Sequence, residues 1–140
     1  MHVVPDCVQK STQEAVHQRW IAKWLRFHNK TFTAPANGTH STTASRNRAS
    51  REGMENGAPD LLIFEPRHGF GGLGIEMKRP RGMSSRVSED QLAFHRRLRA
   101  CNWMVEVCYG AQEALDLLRW WFNAPQWEPA VREERAEQSV

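Results

Sequence analysis

The chain has 140 residues, 40% hydrophobic and 25% charged, which suits one globular domain. No apolar run approaches the roughly 18 residues of a membrane span. The start Met1-His2-Val3-Val4-Pro5-Asp6 does not read as a signal peptide, and the three cysteines Cys7, Cys101 and Cys108 form no C-x-x-C pair, so reduced thiols in a cytoplasmic protein, without a zinc site, are expected. The net charge of +3 is too small to establish nucleic-acid binding by itself.

In chain order, Ser11 to about His28 reads as an amphipathic helix. Val16, Trp20, Trp24 and Phe27 recur at spacings of three and four, flanked by Ile21 and Leu25. Ser11-Thr12-Gln13-Glu14 fits an S-x-x-E capping box at its start. Thr31 to Ala34 alternates like a short strand, and Pro35-Ala36-Asn37-Gly38 ends it with turn chemistry. Residues 38–57 are polar and rich in Ser, Thr, Arg and Asn. Either part of that segment, around Thr43 to Glu52, is a short helix, or the segment is mobile until substrate binds.

Asp60 to Phe64 is a short, almost wholly apolar run, as in a strand covered on both faces. Pro66 and Gly69 turn the chain, and Leu73 to Lys78 returns as the second strand of a hairpin with a long turn. After Pro80-Arg81-Gly82, Ser88 caps a helix running to about Ala100. Trp103 to Tyr109 is a further strand. Gly110 leads into a last helix, Ala111 to Phe122, with Ala114, Leu117, Leu118 and Trp121 on one side and Pro125 as its stop. Trp120 and Trp121 are read as core or dimer contacts rather than as platforms for stacked bases. Residues 1–124 thus form one domain and 125–140 a polar tail. The element order predicts an α/β sandwich in which a central mixed sheet is flanked by helices.

The chemistry concentrates in Pro59-Asp60 followed, across one turn, by Glu76-Met77-Lys78. Residues two apart on a strand share a face, so Glu76 and Lys78 project together while Leu73, Ile75 and Met77 enter apolar packing. A hairpin brings the Asp60 carboxylate beside that of Glu76. Two close carboxylates repel unless a cation joins them. Magnesium suits such a pair, completed by a backbone carbonyl and water. Taken singly, the fragments are ordinary: Pro-Asp is common in turns, and Glu and Lys on one strand face make an exposed ion pair worth under about 1 kcal/mol. Their combination between two apolar strands is what carries the reading.

Gly57-Ala58-Pro59-Asp60-Leu61, Gly72 to Arg79 and Ser88-Glu89-Asp90-Gln91 together resemble the virus-type replication-repair nuclease (VRR-NUC) domain of the PD-(D/E)XK, or restriction-endonuclease-like, superfamily. The likeness extends from Glu14 to Leu118. It implies a magnesium- or manganese-dependent endonuclease acting on DNA, with branched DNA (a junction or flap) as substrate and a homodimeric state like that of phage-encoded junction nucleases. A bacterial or phage-infected cell is the setting implied. By position, Asp60, Glu76, Lys78 and Gln91 would be catalytic, and Glu14, Asp60, Glu76 and Met77 would surround the metal. Gln91 shares a helix face with Phe94 and Leu98 and should point into the site. Glu14 has the capping box as its other reading, and Asn37 is expected only to shape its turn. Arg46, Arg48 and Arg51 in one cluster, and Arg79 and Arg81 after the catalytic strand, are the candidates for phosphate contact. Ordinary solvated arginines are the competing reading. A DNA-binding module without turnover and a sequence-specific restriction-type enzyme are the alternative functions.

Overall fold

The computed structural model describes residues 2–35 and 42–125. The turn expected at Asn37 and Gly38, and the tail from residue 126, lie outside the described residues.

Among the described residues nine elements follow in order: α1 (Asp6–Gln9), α2 (Glu14–Phe27), β1 (Phe32–Thr33), α3 (Thr43–Arg51), β2 (Leu61–Ile63), β3 (Leu73–Lys78), α4 (Glu89–Ala100), β4 (Met104–Tyr109) and α5 (Ala111–Phe122). The strands form one mixed sheet in the order β1-β2-β3-β4. β1 pairs antiparallel with β2 and β2 antiparallel with β3, whereas β3 and β4 run parallel. A parallel neighbour requires a crossover, and α4 supplies it. The expected α/β sandwich around a mixed sheet is the fold observed.

All six residues of β3 are buried, because the strand has pairing partners on both edges and helices on both faces. Leu73, Ile75 and Met77 pack with Trp20, Ile21, Trp24 and Leu25 of α2 and with Ala114, Leu115, Leu118 and Trp121 of α5. The alternate residues Gly74, Glu76 and Lys78 face α4. The sheet therefore has an apolar side and a side that combines polar groups with burial, and the polar side holds the site.

Four local expectations are corrected. The capping box at Ser11 and Glu14 does not form. α2 begins at Glu14 behind Gln13, which makes no side-chain cap, and Ser11 Oγ accepts instead from the Gln13 N–H at 3.2 Å. Phe27 is 64% exposed and meets the His28 ring edge-on. His17, rather than Phe27, joins the buried stripe, because both of its ring nitrogens are bonded and burial then leaves no polar group bare. Phe64 lies beyond the end of β2 and is 46% exposed, its ring against the edge of Trp103. Trp120 is no core residue: it is 48% exposed and stacks flat on His68, with centroids 3.8 Å apart, while Trp121 is wholly buried.

The helical reading of the polar segment is the one found. α3 starts with a capping box between Thr42 and Ser45. The long hairpin turn closes at His68 and Gly69, both at positive φ, with the Phe70 N–H donating to the Arg67 carbonyl. The three cysteines are free, Cys108 buried and the other two exposed. Among the described residues no helix is long and apolar enough to cross a membrane.

Candidate metal and catalytic site

Asp60 is set in place by packing from behind. Pro59 is buried against Gly74 of β3, where an added Cβ would lie 3.0 Å from Pro59 Cγ and 3.3 Å from Leu98 Cδ2. Gly57, at φ +90°, brings its backbone so close to the first turn of α4 that a Cβ would meet the Asp90 carbonyl oxygen at 2.3 Å. Between these two close approaches, the Asp60 carboxylate reaches across to β3. Its Oδ2 accepts the backbone N–H of Met77 at 2.7 Å.

Glu76 and Lys78 lie on the α4 face, as the two-residue strand period requires. Lys78 Nζ stands 3.6 Å from Glu76 Oε1, with side chains 9% and 1% exposed. Gln91, in the first turn of α4, lies between them. Its Nε2 donates to Glu76 Oε1 at 2.7 Å, and its Oε1 accepts from Lys78 Nζ at 3.3 Å and from the Ser88 N–H at 2.8 Å. One amide thus completes the helix cap and orients both the acid and the ammonium.

The electrostatics follow from this crowding. The Glu76 carboxyl is pushed up to about 9, first by burial, then by the charge of Asp60 and a hydrogen bond with it, against the pull of Lys78. The charge of Asp60 thus bears directly on the Glu76 carboxyl. The Glu14 carboxyl is also raised, by burial and then by Asp60, while Lys78 and Arg79 oppose the shift. His95 is lowered, by burial and then by the positive charges of Arg99 and Lys78.

Two carboxyls whose charges oppose each other are suited to a divalent cation, which supplies compensating positive charge. Among the described residues no group of three Asp, Glu, His or Cys side chains is placed to hold a metal ion, so Glu14 is not gathered with Asp60 and Glu76 into one ligand set. A cavity of about 370 Å³ opens at Asp60, lined by Asn56, Gly57, Ala58, Ser88, Asp90 and Gln91.

The structure brings Asp60, Glu76, Lys78 and Gln91 into one cluster, with Glu14 in electrostatic reach. Met77 takes part through its backbone, since its side chain is wholly buried in the core. The arginines behave differently from one another. Arg46, Arg48 and Arg51 are exposed on α3, Arg48 paired with Glu52 at 3.0 Å. Arg79 donates to the Ser84 carbonyl. Arg81 is held in a two-bond ion pair by Glu113 at 2.7 and 3.2 Å, over the Tyr109 ring.

Two histidines escaped the sequence reading. His95 Nε2 lies 3.4 Å from Glu76 Oε2, with both side chains 1% exposed. The available signal was its place four residues after Gln91, on the same helix face. His17 accepts the Ala111 N–H on Nδ1 at 2.9 Å, and its Nε2 contacts the Ser11 carbonyl at 2.8 Å. A ring that accepts on Nδ1 carries its proton on Nε2, so His17 ties the entry of α2 to the first turn of α5. No pattern in the sequence marks that contact across 94 residues.

A mixed sheet with an acid at the head of one strand, and an acid and a lysine two apart on the next, defines a restriction-endonuclease-like nuclease fold. The VRR-NUC domain family matches residues 12–112, most of the chain, and this protein belongs to that family. It is accordingly a nuclease-type, DNA-acting domain. A solved VRR_NUC domain protein is 20% identical and superimposes with a TM-score of 0.66 over 85% of this chain and 95% of that one. At that identity the likeness speaks for the fold. No curated protein matches the chain.

Proposed function

We propose that this chain is a magnesium- or manganese-dependent endodeoxyribonuclease. The observation that carries the reading is the Asp60–Glu76 carboxyl pair with the Lys78 ammonium 3.6 Å from Glu76. Asp60 and Glu76 would hold the cation, with the Met77 carbonyl as a further oxygen donor and Glu14 acting on the site through its charge. When bound, that cation supplies Lewis acidity toward a phosphoryl oxygen and lowers the pKa of a bound water. Lys78 donates to the attacking water or to charge developing on the phosphorane. Gln91 keeps the ammonium and the Glu76 carboxylate in register through one amide. The exposed arginines of α3, with Arg79 and Arg81 beside the catalytic strand, form the surface for DNA phosphates.

Branched DNA is the substrate proposed, with a homodimer that presents two sites to a symmetric junction. Its mass in solution would be near twice 16.2 kDa. The experiment is one gel comparing junction, flap, duplex and single-stranded DNA with magnesium, with calcium and with EDTA, repeated for Glu76→Gln and Lys78→Ala. Cleavage by the variants should fall by about a thousandfold or more while DNA binding persists. Variants that cut at the normal rate would refute the assignment. Binding without cutting by the parent chain under all conditions would identify a DNA-binding module instead.

A further inference from the structure

The carboxylate of Glu76 is gripped from one helix at both of its oxygens. Gln91 Nε2 donates to Oε1 at 2.7 Å. One helical turn later, His95 Nε2 lies 3.4 Å from Oε2. A single hydrogen bond on Oε1 leaves the carboxylate plane free to swing about its last torsion, which has no sharp minima. A second contact on the other oxygen removes that freedom. A carboxylate offers about four lone-pair positions, so the Gln91 and His95 contacts, with the Lys78 ammonium 3.6 Å from Oε1, do not by themselves exhaust its capacity for a cation.

We propose that His95 is a positioning residue that fixes the plane of the Glu76 carboxylate for metal binding. The inference rests on the nuclease reading above. The competing role is that of a core filler, for which a hydrocarbon side chain of similar size would serve as well. An imidazole buried to 1% exposure and directed at a carboxylate oxygen is a poor filler unless that contact is used. Partners of this kind, which orient a ligand without touching the metal, are generally worth ten- to a hundredfold in affinity.

The test is calorimetric titration of manganese into the full chain without DNA, with thermal melting of each variant alongside. The set is the parent protein, Glu76→Gln, His95→Leu and His95→Gln. His95→Leu should weaken manganese binding by about ten- to a hundredfold. His95→Gln, which can place an amide donor near the same point, should recover most of the loss. Parent-like binding by His95→Leu while Glu76→Gln has lost the metal would overturn the inference and leave the nuclease reading standing. Equal losses in the leucine and glutamine variants would reduce His95 to a structural role. Undiminished binding by Glu76→Gln would overturn both readings. A measurement that needs no variant is nitrogen NMR of the histidine-labelled parent. It should show the His95 proton on Nε2 in the folded state, and a proton on Nδ1 with Nε2 bare would overturn the proposal even if the leucine variant fails to fold.

Discussion

Asp60 Oδ2 accepts the Met77 N–H at 2.7 Å, so the acid at the head of β2 is tied to β3 at the residue between Glu76 and Lys78. The bond joins all three charged groups of the site through one backbone position. It also separates two functions of Asp60 that substitution can distinguish.

Asp60→Asn retains an oxygen that can accept the Met77 N–H, whereas Asp60→Ala leaves that buried donor unpaired. The alanine variant should lose about 1–3 kcal/mol of stability, and the asparagine variant much less. Both should lose metal-dependent cleavage. Urea denaturation in EDTA, set beside a cleavage assay, checks the two halves independently.

The raised Glu76 carboxyl makes stability depend on pH. A carboxyl whose folded value of about 9 exceeds its ordinary value of 4.5 contributes stability that is complete below about 4.5 and is lost as pH climbs through about 9. The metal-free chain should therefore weaken between those limits, and Glu76→Gln should flatten that slope. Magnesium competes with the same proton. Its apparent affinity should rise by about tenfold per pH unit over the neutral range, with release of about one proton detectable by calorimetry in buffers of different ionisation enthalpy. An affinity independent of pH would contradict the raised Glu76 carboxyl.

Gln91→Glu tests the amide itself. Glutamate can still accept the Ser88 N–H, so the start of α4 should survive with little change in melting temperature. It cannot donate to Glu76, and it adds a negative charge beside an acid that is already crowded. Cleavage should fall by about a hundredfold, read at saturating magnesium. Gln91→Ala should lose both cap and orientation, costing about 1 kcal/mol in addition.

His17→Leu should separate stability from chemistry. The substitution leaves the buried Ala111 N–H and the half-buried Ser11 carbonyl without their partner. A loss of roughly 3 kcal/mol in denaturant unfolding is expected. Cleavage per folded molecule should be unchanged, because His17 touches none of the charged groups of the site.

The strands and the placing of the candidate-site acids on them were legible because their signals are local. Apolar runs and a two-residue period place Asp60, Glu76 and Lys78 without knowledge of the rest of the chain, and helical spacing turns Gln91 toward them. Partners distant in sequence were not legible. His17 is buried because it meets Ala111, and nothing near residue 17 announces that. Ser11 and Glu14 have the pattern of a capping box, but the contacts of His17 and Gln13 with Ser11 prevail over it. Phe27 keeps the helical period and still faces outward, since periodicity states which residues share a side but not how far along the helix the cover extends. The role of Arg81 was half visible: its position after the strand could be read, its capture by Glu113 could not.

Gly74 sets the seat of Pro59 by lacking a side chain, and Pro59 carries Asp60. The gap between the two acids is thereby gauged by close-packed hydrocarbon on the α4 face of the sheet instead of by the surface loop that leads into it. Interiors packed to crystal-like density yield little, so this opening should have a nearly fixed width. A pocket of fixed width sorts ions by radius, admitting a small cation that demands regular geometry and fitting a larger, more pliable one poorly. Under the proposed reading, a preference of the site for magnesium over calcium would then originate in the methyl group that Gly74 lacks, on the sheet face that also carries Glu76.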